Sequence, residues 1–364
     1  MTKVLFLSAL YGFDRSGDAY TYRLEKLRDA IQQYGIQTEF LSLREQPVPR
    51  PVLVQPLNLP FIRERIADYD FIHAGGDTAY VAAFCKPFTR ARIIYDVHGD
   101  TWSEARLAWT VRRDLVNFYL LFQTLLINAV AYRHADYFLA VSRPMQQWMI
   151  DERHIPAHRI GLVRNGVDLS LFDRCSYRPT DGFTVCYAGG FQAYQGIGNL
   201  ISAVELLPKH HVWLKIVGFT ERHADLKSSI ASRLGDRVEL VDRVTQRQLV
   251  SHLAAAHILI IPRFRHHAVE VALPTKFAEY LALGKPVIVC DVDETARLVQ
   301  EYRCGLVSES SPLALAETIR AASRLAQAEL DHMGHNARRL AEREFSWDDI
   351  GRKYADLLTE WGAS

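Results

Sequence analysis

Twelve short runs rich in β-branched and aromatic residues, each followed by a longer stretch of helical period, set the strongest limit on how this chain folds. In the first half they are Val4 to Ser8, Thr38 to Leu43, Phe71 to Ala74, Arg92 to Val97, Tyr137 to Val141 and Ile160 to Val163. In the second half they are Thr184 to Ala188, Val212 to Val217, Val238 to Val241, Ile258 to Ile261, Pro286 to Cys290 and Gly305 to Val307. Read as strands alternating with helices, they demand parallel sheets covered on both faces. Two such series predict an α/β chain of two Rossmann-like, doubly wound domains facing a central cleft. The 364 residues are enough for two separately buried cores. The polar stretch from Phe172 to Gly182 interrupts the alternation and is read as the linker, which gives domains over 1–172 and 173–345. Ser346 is a helix cap, and Trp347, Ile350, Tyr354, Leu357 and Leu358 follow at helical spacing. Residues 346–364 are therefore expected to form a helix, packed back toward the first domain or completing the second.

Apolar residues at 49% and charged residues at 23% exclude long disordered stretches. Lysine and arginine number 43 against 42 aspartates and glutamates, so the net charge of +1 provides no global field for nucleic acid. Cys85, Cys175, Cys186, Cys290 and Cys304 are odd in number and without a Cys-x-x-Cys pair, which argues against a disulfide framework or zinc knuckle and for a reducing cytoplasm. The apolar run at the amino terminus has no basic leader and reads as a first core strand. From Leu115 to Tyr132 there is no formal charge, and this length raises a membrane span. Asn117, Gln123, Thr124 and Asn128 speak against that, and favour a buried or interfacial helix. Arg106, Arg112 and Arg113 just before it either touch an anionic membrane surface or form a solvated lead-in to a buried helix.

Several chemistries lose their usual markers. The turn after the first strand, SALYGFDRSGDAY, lacks the Gly-x-Gly-x-x-Gly of nicotinamide binding, and Gly284-Lys285-Pro286 lacks the hydroxyl residue of a Walker loop. Neither His-Glu-x-x-His nor Gly-x-Ser-x-Gly occurs. What remains is a strand that runs into Gly189 and Gly190, where backbone amides can approach a phosphate or where a tight turn simply needs glycine. Some eighty residues on, a strand ends at Pro262, a loop carries Arg263, Arg265, His266 and His267, and a helix starts near Pro274 with Thr275 and Lys276 in its first turn. A lysine beside the positive end of a helix is unfavourable unless an anion sits there. Glu279, at i+3 from Lys276, shares its face and suits the two hydroxyls of a ribose; a surface Lys–Glu pair is the plainer alternative.

Gly189-Gly190-Phe191-x-x-Tyr194-x-Gly196, Arg164-Asn165-Gly166-Val167-Asp168 with Phe172, and Leu273-Pro274-Thr275-Lys276-Phe277-x-Glu279-Tyr280-Leu281-Ala282-x-Gly284-Lys285-Pro286 together resemble the family-four glycosyltransferases of the GT-B fold. Tyr95 to Asp100 (YDVHGD) and the closing Phe-Ser-Trp helix extend the likeness over most of the chain. The resemblance implies a retaining, metal-independent transfer of a sugar from a nucleotide diphosphate, with no cofactor beyond the donor itself. A UDP-hexose such as UDP-glucose is expected as donor, and a saccharide or lipid-linked saccharide of an envelope polysaccharide as acceptor. The expected location is cytoplasmic, with peripheral contact on the inner face of the cell membrane. Carried over by position, Gly189, Gly190 and Phe191 face the donor, Arg243 and Val244 hold its base, Lys276 and the helix start with Leu273, Pro274 and Thr275 meet its diphosphate or sugar, and Glu279 holds the ribose. Gly12 joins these donor positions, and His98 faces the transferred sugar as a catalytic residue. The acceptor is assigned to Tyr11 to Asp14 and Gly75 to Thr78.

Two departures stand out. The family's first glutamate would fall at Val271; either Glu270, one place earlier, serves as the catalytic carboxylate, or backbone groups near Val271 and Ala272 replace it. The lysine common before the phosphate-loop glycine is Gln195, which leaves Arg263, Arg265 and Lys276 to meet the diphosphate, Arg263 and Lys276 foremost. Other readings stay open. Asp96, His98 and Asp100 share one face of an extended strand, as in metal-dependent phosphoesterases. A nucleotide-sugar-binding subunit without turnover and a GT-B epimerase complete the set.

Overall fold

The computed structural model describes residues 2–8, 19–43, 62–173, 182–209 and 211–363. They form two units, one of Met1–Arg164 with Trp347–Ser364, the other of Asn165–Ser346.

In the first unit β1 (Lys3–Ser8), α1 (Ala19–Gln32), β2 (Gln37–Ser42), β3 (Phe71–Ala74), α2 (Asp77–Cys85), β4 (Arg92–Val97), α3 (Thr101–Val111), α4 (Leu115–His134), β5 (Tyr137–Ala140), α5 (Arg143–Asp151) and β6 (Ile160–Leu162) follow in turn. The strands form a parallel sheet of order β2-β1-β3-β4-β5-β6. β3 and β5 are buried from end to end, as parallel strands covered on both faces must be. The carboxyl-terminal helix Trp347–Ala363 packs in this unit against α1. At the crossing Gly351 leaves no room for a side chain, since a Cβ there would stand 3.0 Å from the Ala30 carbonyl oxygen. Trp361 stacks on Tyr137 with ring centroids 4.3 Å apart, and Ile350, Tyr354 and Leu358 complete one core with Val4, Phe6, Leu24 and Leu27. The segment completes the core of the first unit and not of the second.

The second unit contains β7 (Phe183–Ala188), α6 (Ile197–Glu205), β8 (Val212–Phe219), α7 (Ala224–Leu234), β9 (Val238–Asp242), α8 (Gln246–Ala254), β10 (Ile258–Ile261), α9 (His267–Glu270), α10 (Thr275–Ala282), β11 (Val287–Cys290), α11 (Glu294–Tyr302), β12 (Gly305–Ser308), α12 (Pro312–Ala322) and α13 (Gln327–Glu344). Its parallel sheet runs β12-β11-β10-β7-β8-β9. The chain winds outward from β7 to β9, then returns to the other side of β7 at β10. Loops leaving β7 and β10 therefore diverge at the carboxyl ends of adjacent strands, which is where doubly wound sheets bind ligands. Asn165 to Asp173 pack with this unit: Val167 bridges Ser346, and Arg338 donates to the carbonyl of the buried Phe172 at 2.9 Å.

One expectation is corrected in part. The uncharged helix α4 is buried only toward its end, at Ile127, Asn128 and Ala131. Leu115, Val116, Phe118, Leu120 and Phe122 are exposed.

Candidate active site

The divergence of β7 and β10 brings one cation to the turn after β7. Lys276, second residue of α10, is buried, and its Nζ donates to the Tyr187 hydroxyl at 2.8 Å and to Gln195 Oε1 at 3.0 Å. Both acceptors are neutral. Burial pulls the Lys276 pKa down from 10.5 to about 7, with Arg263 adding to the fall and Glu279 opposing it. Gly189 makes this approach sterically feasible: its φ is +140°, and a Cβ would lie 2.5 Å from Lys276 Nζ. The steric reading of the paired glycines is what the structure describes, since the turn is tight against the lysine itself. Tyr187 donates onward to the Gly190 carbonyl at 2.5 Å, and the Tyr280 hydroxyl accepts from the Ala188 amide at 2.8 Å, so the end of β7 is fastened to α10.

Pro274 stands at the cap of α10 and supplies no capping side chain, so Thr275 is the first helical residue. Amides at such a helix start have no partner within the helix and favour an anion. Glu279, one turn on, is half-buried with no hydrogen bond to its carboxylate among the described residues. Burial raises its pKa from 4.5 to about 7, against the pull of Lys276. The two do not form a surface ion pair.

Arg263 is buried and bonds Asp293 Oδ2 at 2.8 Å, with its guanidinium over the Tyr194 ring. That pair ties the β10 loop to the start of α11, where Asp293 also caps the Thr295 amide. Arg265 holds Glu270 at 2.8 Å. Val271, Ala272 and Leu273 are buried; the carbonyl of Ala272 accepts from Arg263 at 3.4 Å and that of Leu273 from Asn165 at 3.3 Å. Phe191 packs against Phe219 and His223, centroids 4.4 and 4.7 Å away. Arg243 follows β9 with an exposed side chain and an amide tied to the Phe219 carbonyl at 2.8 Å; Val244 beside it is half-buried. Tyr187 and Tyr280 were not among the expected site residues. Their signal is a tyrosine hydroxyl that must find a partner inside a core.

In the first unit His98 follows β4, its side chain 31% exposed and Nε2 3.1 Å from Asp96 Oδ2. Asp96 is fully buried. Burial alone would raise its carboxyl, but Arg23 with His98 and His73 holds it well below the usual range. Arg23 meets it through Nε and Nη2 at 2.9 and 3.0 Å and also donates to the carbonyls of Val163 and Arg164. His73 lies with Nε2 3.2 Å from Asp96 and Nδ1 2.7 Å from the Tyr354 hydroxyl. Burial lowers the His73 pKa despite Asp96. A neutral ring with Nε2 donating to Asp96 and Nδ1 accepting from Tyr354 satisfies all three groups. The extended-strand metal reading of Asp96, His98 and Asp100 is not what these residues do: Asp96 is turned to Arg23, and Asp100 precedes α3 and accepts from Ser103. No group of three metal-ligating side chains occurs among the described residues. Of the acceptor positions, Thr78 is buried and its hydroxyl donates to the Gly75 carbonyl at 2.9 Å, closing the turn into α2. Gly12 and Tyr11 to Asp14 lie outside the described residues.

Residues 14–171 match the family described as Glycosyltransferase Family 4, and residues 182–324 match Glycosyl transferases group 1. Among solved structures, sucrose-phosphate synthase from Thermosynechococcus elongatus is 19% identical with a TM-score of 0.78, each chain covered in full. Anabaena HepE in complex with UDP-glucose is 19% identical with a TM-score of 0.72, over 99% of this chain and 100% of that one. WaaG, a glycosyltransferase involved in lipopolysaccharide biosynthesis, is 16% identical with a TM-score of 0.67, over 98% and 99%. No curated protein matches the chain by sequence. Two six-stranded parallel sheets, a terminal helix returned to the first unit and family matches across both halves make this chain a glycosyltransferase of the GT-B fold, resembling family four.

Proposed function

We propose that the enzyme transfers a hexose, with retention and without a metal, from a UDP-sugar to a saccharide or lipid-linked saccharide acceptor. The observation that carries the donor half is the Lys276 ammonium, buried among neutral oxygens at a helix start. A diphosphate placed there supplies the counter-charge that the protein does not, and Glu279 one turn away suits the ribose hydroxyls. UDP-glucose bound to HepE supports the choice of base and sugar by analogy of fold.

In the transfer the acceptor oxygen bonds to the anomeric carbon, the bond from that carbon to the β-phosphate oxygen breaks, and the acceptor proton leaves on the departing diphosphate. The nucleoside diphosphate takes the electron pair, so negative charge grows next to Lys276 and the amides of Thr275 and Lys276. Stabilising that charge is the protein's main contribution, and no covalent nucleophile is required. His98 is assigned to the transferred sugar, and Glu270 is the carboxylate available to replace the one missing at Val271. Work in the reducing cytoplasm accords with Cys85, Cys186, Cys290 and Cys304, all buried as free thiols.

The test is calorimetric titration of UDP and UDP-glucose into wild type and Lys276→Ala, followed by product stereochemistry. Wild type binds UDP-glucose, and the variant binds at least about tenfold more weakly, a loss of about 1.4 kcal/mol. Equal affinities overturn the donor site; an inverted anomer overturns retention alone.

A further inference from the structure

Helix α4 turns large apolar side chains to the outside over its first three turns. In a helix on a water-soluble surface the large apolar side chains face the core and the polar ones face solvent. Here Asn117, Thr124 and Asn128, at i, i+7 and i+11, share one face, the first two half-buried and Asn128 buried beside Ile127 and Ala131. Asn117 Nδ2 donates to the Arg112 carbonyl at 2.8 Å, and the buried Asn128 donates to the Thr101 hydroxyl at 3.1 Å and accepts from that of Tyr95 at 3.2 Å. Leu115 at 86% and Phe118 at 56% exposure point outward, with Val116, Leu120 and Phe122 around them. Eight of the thirteen exposed large apolar side chains among the described residues fall between Val111 and Leu125. Such a pattern suits a surrounding that is not water.

α3 and α4 form a hairpin, joined by the Trp109–Phe118 ring contact, with Arg112 and Arg113 at its tip. Arg112 is paired with Asp114 at 2.7 Å, whereas Arg106 and Arg113 are exposed and make no ion pair among the described residues. We propose that this hairpin seats the enzyme on an anionic lipid surface, with the apolar side of α4 in the acyl boundary and the arginines among the headgroups. The helix is long and apolar enough to cross a bilayer, but Asn128, Thr101 and Tyr95 fasten its last turns to the sheet, so it lies at the interface. Charge selects the occupant. Anionic headgroups meet Arg106 and Arg113 with opposite sign, whereas a second copy would bring its own arginines. The proposal does not depend on the identity of the donor.

The test floats the full chain with vesicles of phosphatidylcholine alone or mixed equally with phosphatidylglycerol. The protein rises with the mixed vesicles and stays largely below with phosphatidylcholine. Arg106→Glu with Arg113→Glu weakens flotation about fivefold per arginine, and high salt has a similar effect. Leu120→Glu with Phe122→Glu keeps the protein at the bottom while its melting temperature and its response to UDP stay as in wild type. Wild type that stays below with both vesicles overturns the proposal, as does unchanged flotation of the Leu120/Phe122 variant. Light scattering that shows a dimer dissolved by that variant also overturns it, with a second copy as occupant.

Discussion

Asp96 in the first unit and Lys276 in the second are both ionisable groups removed from water, and their surroundings treat them oppositely. Asp96 is met by a two-point Arg23 contact and by two histidines, so the cost of burying it is offset within the protein. Lys276 has a tyrosine hydroxyl, an amide oxygen and a neighbouring cation, Arg263, with Glu279 one turn away as a carboxylate that makes no ion pair with it among the described residues. The first arrangement gains from being left alone. On the proposed donor site the second would gain further when an anion arrives, which is the expected physical difference between a structural charge and a binding one.

The largest effect follows from breaking the satisfied cluster. Asp96→Asn leaves Arg23 buried without a full counter-charge and is expected to cost about 3–5 kcal/mol of stability, read by urea unfolding. A loss under about 1 kcal/mol would remove the contrast. Lys276→Met tests the other side: the ligand-free protein should melt at the same temperature or higher, while UDP-induced stabilisation falls by about tenfold to a hundredfold in affinity. A lower melting temperature with UDP affinity retained would show that Lys276 is structural.

Proton linkage sharpens the comparison further. On the proposed donor site, binding needs Lys276 charged and Glu279 ionised. With both values near 7 in the free enzyme, UDP affinity should be greatest near pH 7. It should fall at higher pH as Lys276 loses its proton, by up to about tenfold per unit, and at lower pH as Glu279 gains one. Lys276→Ala should abolish the alkaline limb and Glu279→Gln the acid limb; a flat profile contradicts both assignments. The smallest effect is expected from Tyr354→Phe, which removes one hydrogen bond to His73 and should cost about 1 kcal/mol in unfolding with donor affinity unchanged.

The sheets were legible because strands buried on both faces read as apolar runs between turn residues, and every one of the twelve runs is a strand within a residue or two. The Pro274 to Glu279 window was legible for a similar reason, as local spacing on one helix. Tyr187 and Gln195 were not, because their meeting with Lys276 depends on β7 lying beside β10, which no local window contains. The sequence left open a metal reading of Asp96 with His98 and Asp100; the capture of Asp96 by Arg23, seventy-three positions away, is a tertiary fact. The exposure of α4 was hidden by composition, since a core helix and a lipid-facing one share it. The shared face of Asn117, Thr124 and Asn128 was the available clue.

The chain passes from the first unit to the second after Arg164 and back before Trp347, so the whole second unit is an insertion within the first. The last piece of the first unit is therefore made only after the whole of the second. Until then Ala30, His73 and Tyr137 lack the helix that covers them. The unit begun before the other is completed after it, and a nascent chain should need shielding there until the helix from Trp347 emerges.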